Sequence, residues 1–261
     1  MTILPVNEKG VVELKEVKEA ITAQTILVSL MAVNNETGAM NPIKEIGQYL
    51  AKFPKIAFHV DMVQAIGKVD VDLSDVDLFS IAGHKIHGLL GSGLLIKDKK
   101  ILLSPLNTGG GQENNLRSGT NTLALSATLS KALRLSIEKQ KENYQHVKVL
   151  HDYLVNYLKD NTDRYVLNSL EDSNPYIVNF SLLHHKASVV VEALSNHQIM
   201  VSSLSACHAK KEDYSYVVYA MRKDLNLAHN TIRVSFSYDN TLEEVKTFIR
   251  TLEDMIKEIK Q

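Results

Sequence analysis

The sequence predicts an α/β fold built on a mostly parallel sheet, and three features predict it. Apolar, β-branched runs alternate with helical patterns from residue 26 onward. Polar residues recur just after those runs, where open α/β sheets place their ligands. A chain of 261 residues that is 44% hydrophobic also holds enough apolar surface for the cores of one or two domains.

The elements follow in order. Residues 26–33 read as a buried strand, Pro42 opens a short amphipathic helix over residues 43–52, and residues 56–60 form the next strand. Further strands are expected over 76–82 and 93–96, separated by the compact turn His84-Lys85-Ile86-His87-Gly88. The glycine-rich stretch 108–120 has no regular period and reads as a loop. Two long helices follow over 123–157, and the domain boundary is set within them, giving a larger domain at 1–138 and a smaller α/β domain at 139–261. The smaller domain is expected to hold a strand at 176–183, a helix near 188–196, a strand at 199–203, a helix near 214–225 and a strand around Arg233. It closes with a helix that begins in a capping box, Thr241 with Glu244, and carries Leu242, Val245, Phe248, Ile249 and Leu252 on one face.

Composition narrows the function. Basic and acidic residues nearly balance, 29 against 30, and they are scattered, so no field favours nucleic acid or an anionic membrane. The single cysteine, Cys207, excludes an internal disulfide framework and a cysteine-built zinc site. No apolar run is long enough to span a bilayer, and residues 1–10 lack the pattern of a signal peptide, so a cytoplasmic protein is expected. His84 and His87 stand three apart, but no carboxylate or cysteine pattern around them matches a metal site, and none is expected.

Asn34, Asn35, Asp61, Gln64, His84 and Lys85 all stand at strand ends. Asp61 suits a cationic partner such as a pyridinium nitrogen, because the ion pair keeps pyridoxal phosphate protonated and makes it a better electron sink. Lys85, beside His84 and flanked by glycines, suits a Schiff base to that cofactor, which requires a nucleophilic free amine. Taken singly, Lys85 reads as a solvated loop lysine and Asp61 as a turn residue; the combination carries the chemistry. Donors for a phosphate are available from backbone N–H groups around Gly109, Gly110, Gly111 and Gly119, from Thr120 and from the His84 ring.

Six segments in one order carry a resemblance: Val33-Asn-Asn-Glu-Thr-Gly38, His59-Val-Asp-Met-Val-Gln64, Gly83-His-Lys-Ile-His-Gly88, Gly109-Gly-Gly-Gln112, Arg117-Ser-Gly-Thr120 and Ser205-Ala-Cys207. Together they resemble the class V aminotransferase family, specifically cysteine desulfurases of the NifS and IscS type. The resemblance implies a fold-type I architecture, a homodimer, pyridoxal 5'-phosphate as cofactor, and conversion of L-cysteine to L-alanine with the sulfur passed on to an acceptor protein.

By residue, the resemblance makes Lys85 the Schiff-base lysine and proton shuttle, Asp61 the pyridinium partner, and Gln64 a donor to the cofactor's phenolic oxygen. His84 reaches the phosphate, Thr120 contacts the phosphate in the neighbouring subunit, and Asn35 helps to hold ring and substrate. Arg233 clamps the substrate carboxylate, a task that suits a guanidinium fork. Cys207 accepts the sulfur as a persulfide, with His208, Lys210 and Lys211 nearby to favour its thiolate. A noncatalytic relay partner, and a class V aminotransferase or selenocysteine lyase, are the alternatives.

The sequence departs from the family's pattern in places. Ala82 stands where the family usually has a serine or threonine on the phosphate, and Leu204 where a glycine is common. In the family a glycine-and-threonine phosphate loop and a ring-stacking histidine precede the point at which this sequence starts.

Overall fold

A computed structural model describes residues 1–203 and 213–259. In chain order its elements are α1 (Leu14–Ala20), β1 (Leu27–Met31), α2 (Ile43–Leu50), β2 (Ala57–Asp61), β3 (Leu78–Ala82), β4 (Gly93–Lys97), α3 (Leu123–Glu138) and α4 (Gln140–Asp160). They continue with β5 (Tyr165–Leu167), β6 (Ile177–Leu182), α5 (Ala187–Asn196), α6 (Tyr216–Arg222), α7 (Leu225–His229), β7 (Thr231–Ser235) and α8 (Leu242–Glu258). Short 3-10 turns lie at Gly83–Lys85 and Gln112–Asn115.

The chain forms two compact units. One comprises Thr22–Ala32 and Ile43–Lys139, the other Met1–Ile21, Val33–Pro42 and Gln140–Gln261. A linear division into 1–138 and 139–261 does not describe them. Its boundary lies close to the break between α3 and α4, but two early segments group with the C-terminal unit. Side chains explain the second of these: Ser169 Oγ donates to Thr37 O at 2.6 Å, and Asn174 N donates to Gly38 O at 2.9 Å.

The unit containing β1 to β4 is built on one sheet in that spatial order, with β1–β2 and β2–β3 parallel and β3–β4 antiparallel. Phe58 and Val60 of β2 are buried, the alternation of a half-buried strand, while Leu78 and Ile81 bury one residue on each face of β3. Helix α2 buries Ile43, Ile46, Gly47 and Leu50, the spacing of a single helical face. Asp77 Oδ2 accepts from Phe58 N at 2.8 Å, tying the approach to β3 to the middle of β2.

The other unit holds an antiparallel sheet ordered β5-β6-β7. All six residues of β6 are buried, and Val178, Phe180 and Leu182 join Leu150, Leu154 and Leu158 of α4, Val190 and Leu194 of α5, and Val245, Phe248 and Leu252 of α8 in one core. The capping box that opens α8 is present in full: Thr241 Oγ1 accepts from Glu244 N at 3.3 Å, and Glu244 Oε2 accepts from Thr241 N at 2.7 Å. The expected strand at 199–203 reduces to one bridge between Ser202 and Arg233, because only that pair exchanges backbone hydrogen bonds, at 3.1 and 2.7 Å. The helix expected near 214–225 breaks in two. Lys223 adopts a left-handed conformation (φ 55°) that ends α6, and Asp224 then caps α7 by accepting from Asn226 N and Leu227 N.

Glu253 of α8 joins three elements of this unit, accepting from Tyr157 of α4, Tyr165 of β5 and Arg164. Burial alone would raise the Glu253 pKa; the bonds from Tyr157, Tyr165 and Arg164 outweigh it and hold the carboxyl below its ordinary value. A depressed folded-state pKa contributes stability that is complete above the unfolded value of about 4.3 and is lost as pH falls through the folded value. The urea midpoint of the wild type should therefore fall as pH drops below about 4, while that of Glu253→Gln should be lower at neutral pH and flatter across this window. Parallel pH profiles for the two proteins would show that Glu253 does not carry the linkage.

Candidate cofactor and substrate site

Strand β2 ends on Asp61, and its carboxylate folds back at once: Oδ1 accepts from Val63 N at 2.8 Å. The following backbone closes helical turns, with Ala65 N and Ile66 N donating to Met62 O, and Lys68 N and Val69 N donating to Ala65 O. Gln64 and Lys68, four apart, thereby share a side, and Lys68 Nζ donates to Gln64 Oε1 at 3.4 Å. Gly67 ends this turn at φ +68°, and a Cβ there would lie 2.5 Å from Ser136 Cβ of α3, so both conformation and space demand glycine.

Strand β3 ends at Ala82, and Gly83-His84-Lys85 follow as a 3-10 turn closed by Ile86 N and Gly88 N, both donating to Gly83 O. The turn is anchored by buried Ile86, and a Cβ on Gly83 would come within 3.1 Å of Leu129 of α3 and 2.3 Å of Ser92 Oγ. His84 and Lys85 are exposed. Among the described residues the Lys85 ammonium makes no hydrogen bond or ion pair, and Asp61 Oδ2 accepts none. Because β2 and β3 are parallel neighbours, Asp61 and Lys85 stand at the same edge of the sheet. Burial, with the charge of Lys85 adding to it, pushes the Lys68 pKa down to about 8. Burial likewise lowers that of His59, against the opposing pull of Asp61; the His59 Nδ1 and Ser29 Oγ lie in hydrogen-bond contact at 2.8 Å.

Arg233 and Asn35 belong to the other unit. Arg233, half-buried on β7, donates from Nη1 to Asn35 O at 3.1 Å and from Nη2 to Ser202 Oγ at 3.5 Å. Its Nε is buried and has no partner among the described residues. Burial lowers the Arg233 pKa, and the negative charge of Glu36 opposes that shift. Glu36 is itself buried and accepts from Ser215 Oγ, the hydroxyl that caps α6. Asn34 Oδ1 accepts from Glu36 N and Thr37 N, which holds this turn in shape.

The structure thus brings Asp61, Gln64, His84 and Lys85 to the ends of adjacent strands in one unit. It places Asn35 beside Arg233 in the other, through the Asn35 carbonyl. Thr120 is exposed at the end of its loop, and Cys207 lies outside the described residues. Two participants were not anticipated, Lys68 and Glu36. The signals were present: Lys68 is four residues past Gln64, and Glu36 is the acid inside the Asn-Asn-Glu-Thr-Gly motif.

Residues 1–248 match the sequence pattern of the Aminotransferase class-V family, and the chain belongs to that family. Within it, the similarity runs to NifS and IscS proteins. A NifS/IcsS protein homolog of Lactobacillus delbrueckii subsp. bulgaricus is 39% identical over 259 residues, which is 98% of this chain and 67% of that protein. The mitochondrial cysteine desulfurase of Saccharomyces cerevisiae is 38% identical over 265 residues, all of this chain and 53% of that one. A solved NifS-like protein superposes with a TM-score of 0.90 at 31% identity, covering 99% of this chain and 68% of that chain. The chain therefore spans between about half and two thirds of the length of these relatives.

Glu36 supplies negative charge to half-buried Arg233. Glu36→Gln keeps the shape and an acceptor for Ser215 but removes that charge, and it should lower folding stability at neutral pH by about 1–3 kcal/mol. Urea denaturation measures this, and an unchanged midpoint would show that Arg233 does not depend on Glu36 for its charge.

Proposed function

We propose that this chain is a pyridoxal-phosphate-dependent cysteine desulfurase that converts L-cysteine to L-alanine and passes the sulfur to Cys207 as a persulfide. One observation carries the reading: an amine without an acceptor among the described residues, Lys85, and a carboxylate oxygen uncommitted among them, Asp61 Oδ2, stand at the ends of adjacent parallel strands. That donor set fits the cofactor, since a carbonyl needs the amine and a pyridinium N–H needs the carboxylate. When bound, the cofactor supplies the electron sink for bond cleavage at the substrate's Cα.

The chain's own residues do the rest. Asp61 would hold the pyridinium proton through Oδ2. Gln64 would donate to the phenolic oxygen and His84 to the phosphate, while Thr120 would contact the phosphate in the neighbouring subunit. Arg233 receives the substrate carboxylate, and its buried, unpartnered Nε is the donor such a ligand would satisfy. Asn35 helps to hold ring and substrate. Lys85 would hold the cofactor's carbonyl carbon and, as a free amine, would carry protons to and from the substrate carbon atoms. The Cys207 thiolate attacks the substrate sulfur; the new S–S bond replaces the C–S bond, and the carbon left behind takes up a proton on the way to alanine. A sulfur-acceptor protein would then discharge the persulfide.

We further read the chain as a homodimer acting in the cytoplasm. Leu94 and Leu95 on β4, with Leu102, Leu106 and Leu123, leave apolar surface exposed, which supports a second copy as its cover.

The purified chain should turn yellow with pyridoxal phosphate, and borohydride reduction should fix the label on Lys85 by peptide mass. Lys85→Ala should lose the colour and lower sulfide release from cysteine by at least about 10²–10⁴-fold. Cys207→Ser should keep the colour and lose sulfur transfer without gaining transamination. A colourless wild type that releases no sulfide from cysteine would overturn the reading.

A further inference from the structure

We propose that Lys68 is a positioning residue for the cofactor: its ammonium holds the Gln64 side-chain carbonyl and so turns the Gln64 amide N–H toward the cofactor's phenolic oxygen. This rests on the cofactor reading above and adds a residue which that reading does not use.

An ammonium can only donate, so the Gln64 atom that Lys68 Nζ meets at 3.4 Å must be the carbonyl oxygen. A glutamine amide is close to symmetric in shape, and turning it over costs little unless a neighbour distinguishes its two ends. Lys68 is such a neighbour. With Oε1 held on the Lys68 side, the NH2 end faces the other way and is presented as a donor. The backbone enforces the arrangement: Lys68 N and Val69 N both donate to Ala65 O, Val69 is buried, and left-handed Gly67 sits against Ser136 of α3.

The placement is costly for a residue with only a structural task. Lys68 is half-buried and has a second cation, Lys85, as its electrostatic neighbour, whereas a methionine would fill the same space without a charge to desolvate. Asp61 is the carboxylate of this strand end, and it already accepts from Val63 N. A ligand bearing a phosphate and a phenolate would place negative charge beside these two lysines.

The test compares the wild type with Lys68→Met, Lys68→Arg, Gln64→Leu and the double variant Gln64→Leu/Lys68→Met, titrated with pyridoxal phosphate and followed by visible absorption and circular dichroism. Lys68→Met should weaken cofactor binding roughly 10-fold and give the altered visible band of Gln64→Leu. The double variant should be no worse than Gln64→Leu alone, and Lys68→Arg, which keeps a cationic donor, should restore the band. A Lys68→Met protein with wild-type affinity and band would overturn the proposal, as would losses that multiply in the double variant. A wild type that binds no cofactor defeats the cofactor reading. The hold on Gln64 is then read in the cofactor-free chain by NMR: a Gln64 side-chain amide resonance unmoved by Lys68→Met overturns it, and one that moves and is restored in Lys68→Arg upholds it.

Discussion

Two parallel strands cannot be joined by a tight turn, and in this chain that constraint makes the candidate site. Strand β3 must return to run beside β2 in the same direction, so the chain leaves both strands at one edge of the sheet. Asp61 closes β2, with Met62 N donating to Ser80 O of β3 at 2.9 Å, and Lys85 follows three residues after β3 ends. A carboxylate and a lysine widely separated in sequence meet at one border because the pairing is parallel. An antiparallel β2–β3 hairpin would have sent them to opposite ends. Strand β4 is antiparallel to β3 and returns the chain from that border, so the lysine turn is bounded on both sides by sheet.

Charge is distributed in this molecule at a cost that packing alone does not recover. Lys68 is half-buried with Lys85 as its electrostatic neighbour, and Arg233 is half-buried with Nε unpartnered among the described residues. Each has a polar neighbour. Gln64 Oε1 accepts from Lys68, and Glu36 supplies negative charge opposite Arg233 while its own carboxylate is held by Ser215. Restrained charges of this kind are pre-organised: their orientation is set before any ligand arrives, and a ligand carboxylate or phosphate meets donors that no longer have to be ordered.

Much of this could be read from the residues, and the failures have physical causes. The strand ends at Asp61 and Ala82 were legible because β-branched runs stop abruptly at polar or glycine-rich turns. Helix α8 was legible through the Thr241–Glu244 capping box and one apolar face. The association of Val33–Pro42 with the C-terminal unit was not, because it depends on bonds such as Ser169 Oγ to Thr37 O, between residues more than a hundred positions apart. The break after α6 was hidden because a lysine at φ 55° leaves no compositional mark of the kind that glycine does. Lys68 and Glu36 carried positional signals, but a lysine or glutamate reads as surface until its neighbours are known.

Helix α3 shows how the reactive turns gain rigidity without being buried themselves. Lys85 is exposed, so its position cannot be fixed by packing of its own side chain. The constraint is applied from behind. Leu129 and Ser136 of α3 are seven residues apart, two helical turns on one face, and each meets a glycine, Leu129 at Gly83 and Ser136 at Gly67. Glycine at both positions lets the helix approach the backbone itself: a Cβ would lie 2.5 Å from Ser136 at Gly67 and 3.1 Å from Leu129 at Gly83. One face of one helix therefore braces both the turn that carries Lys85 and the turn that carries Gln64 and Lys68. Displacing α3 would move the two turns together, so the spacing between the lysine and the amide is protected even where their absolute positions are not.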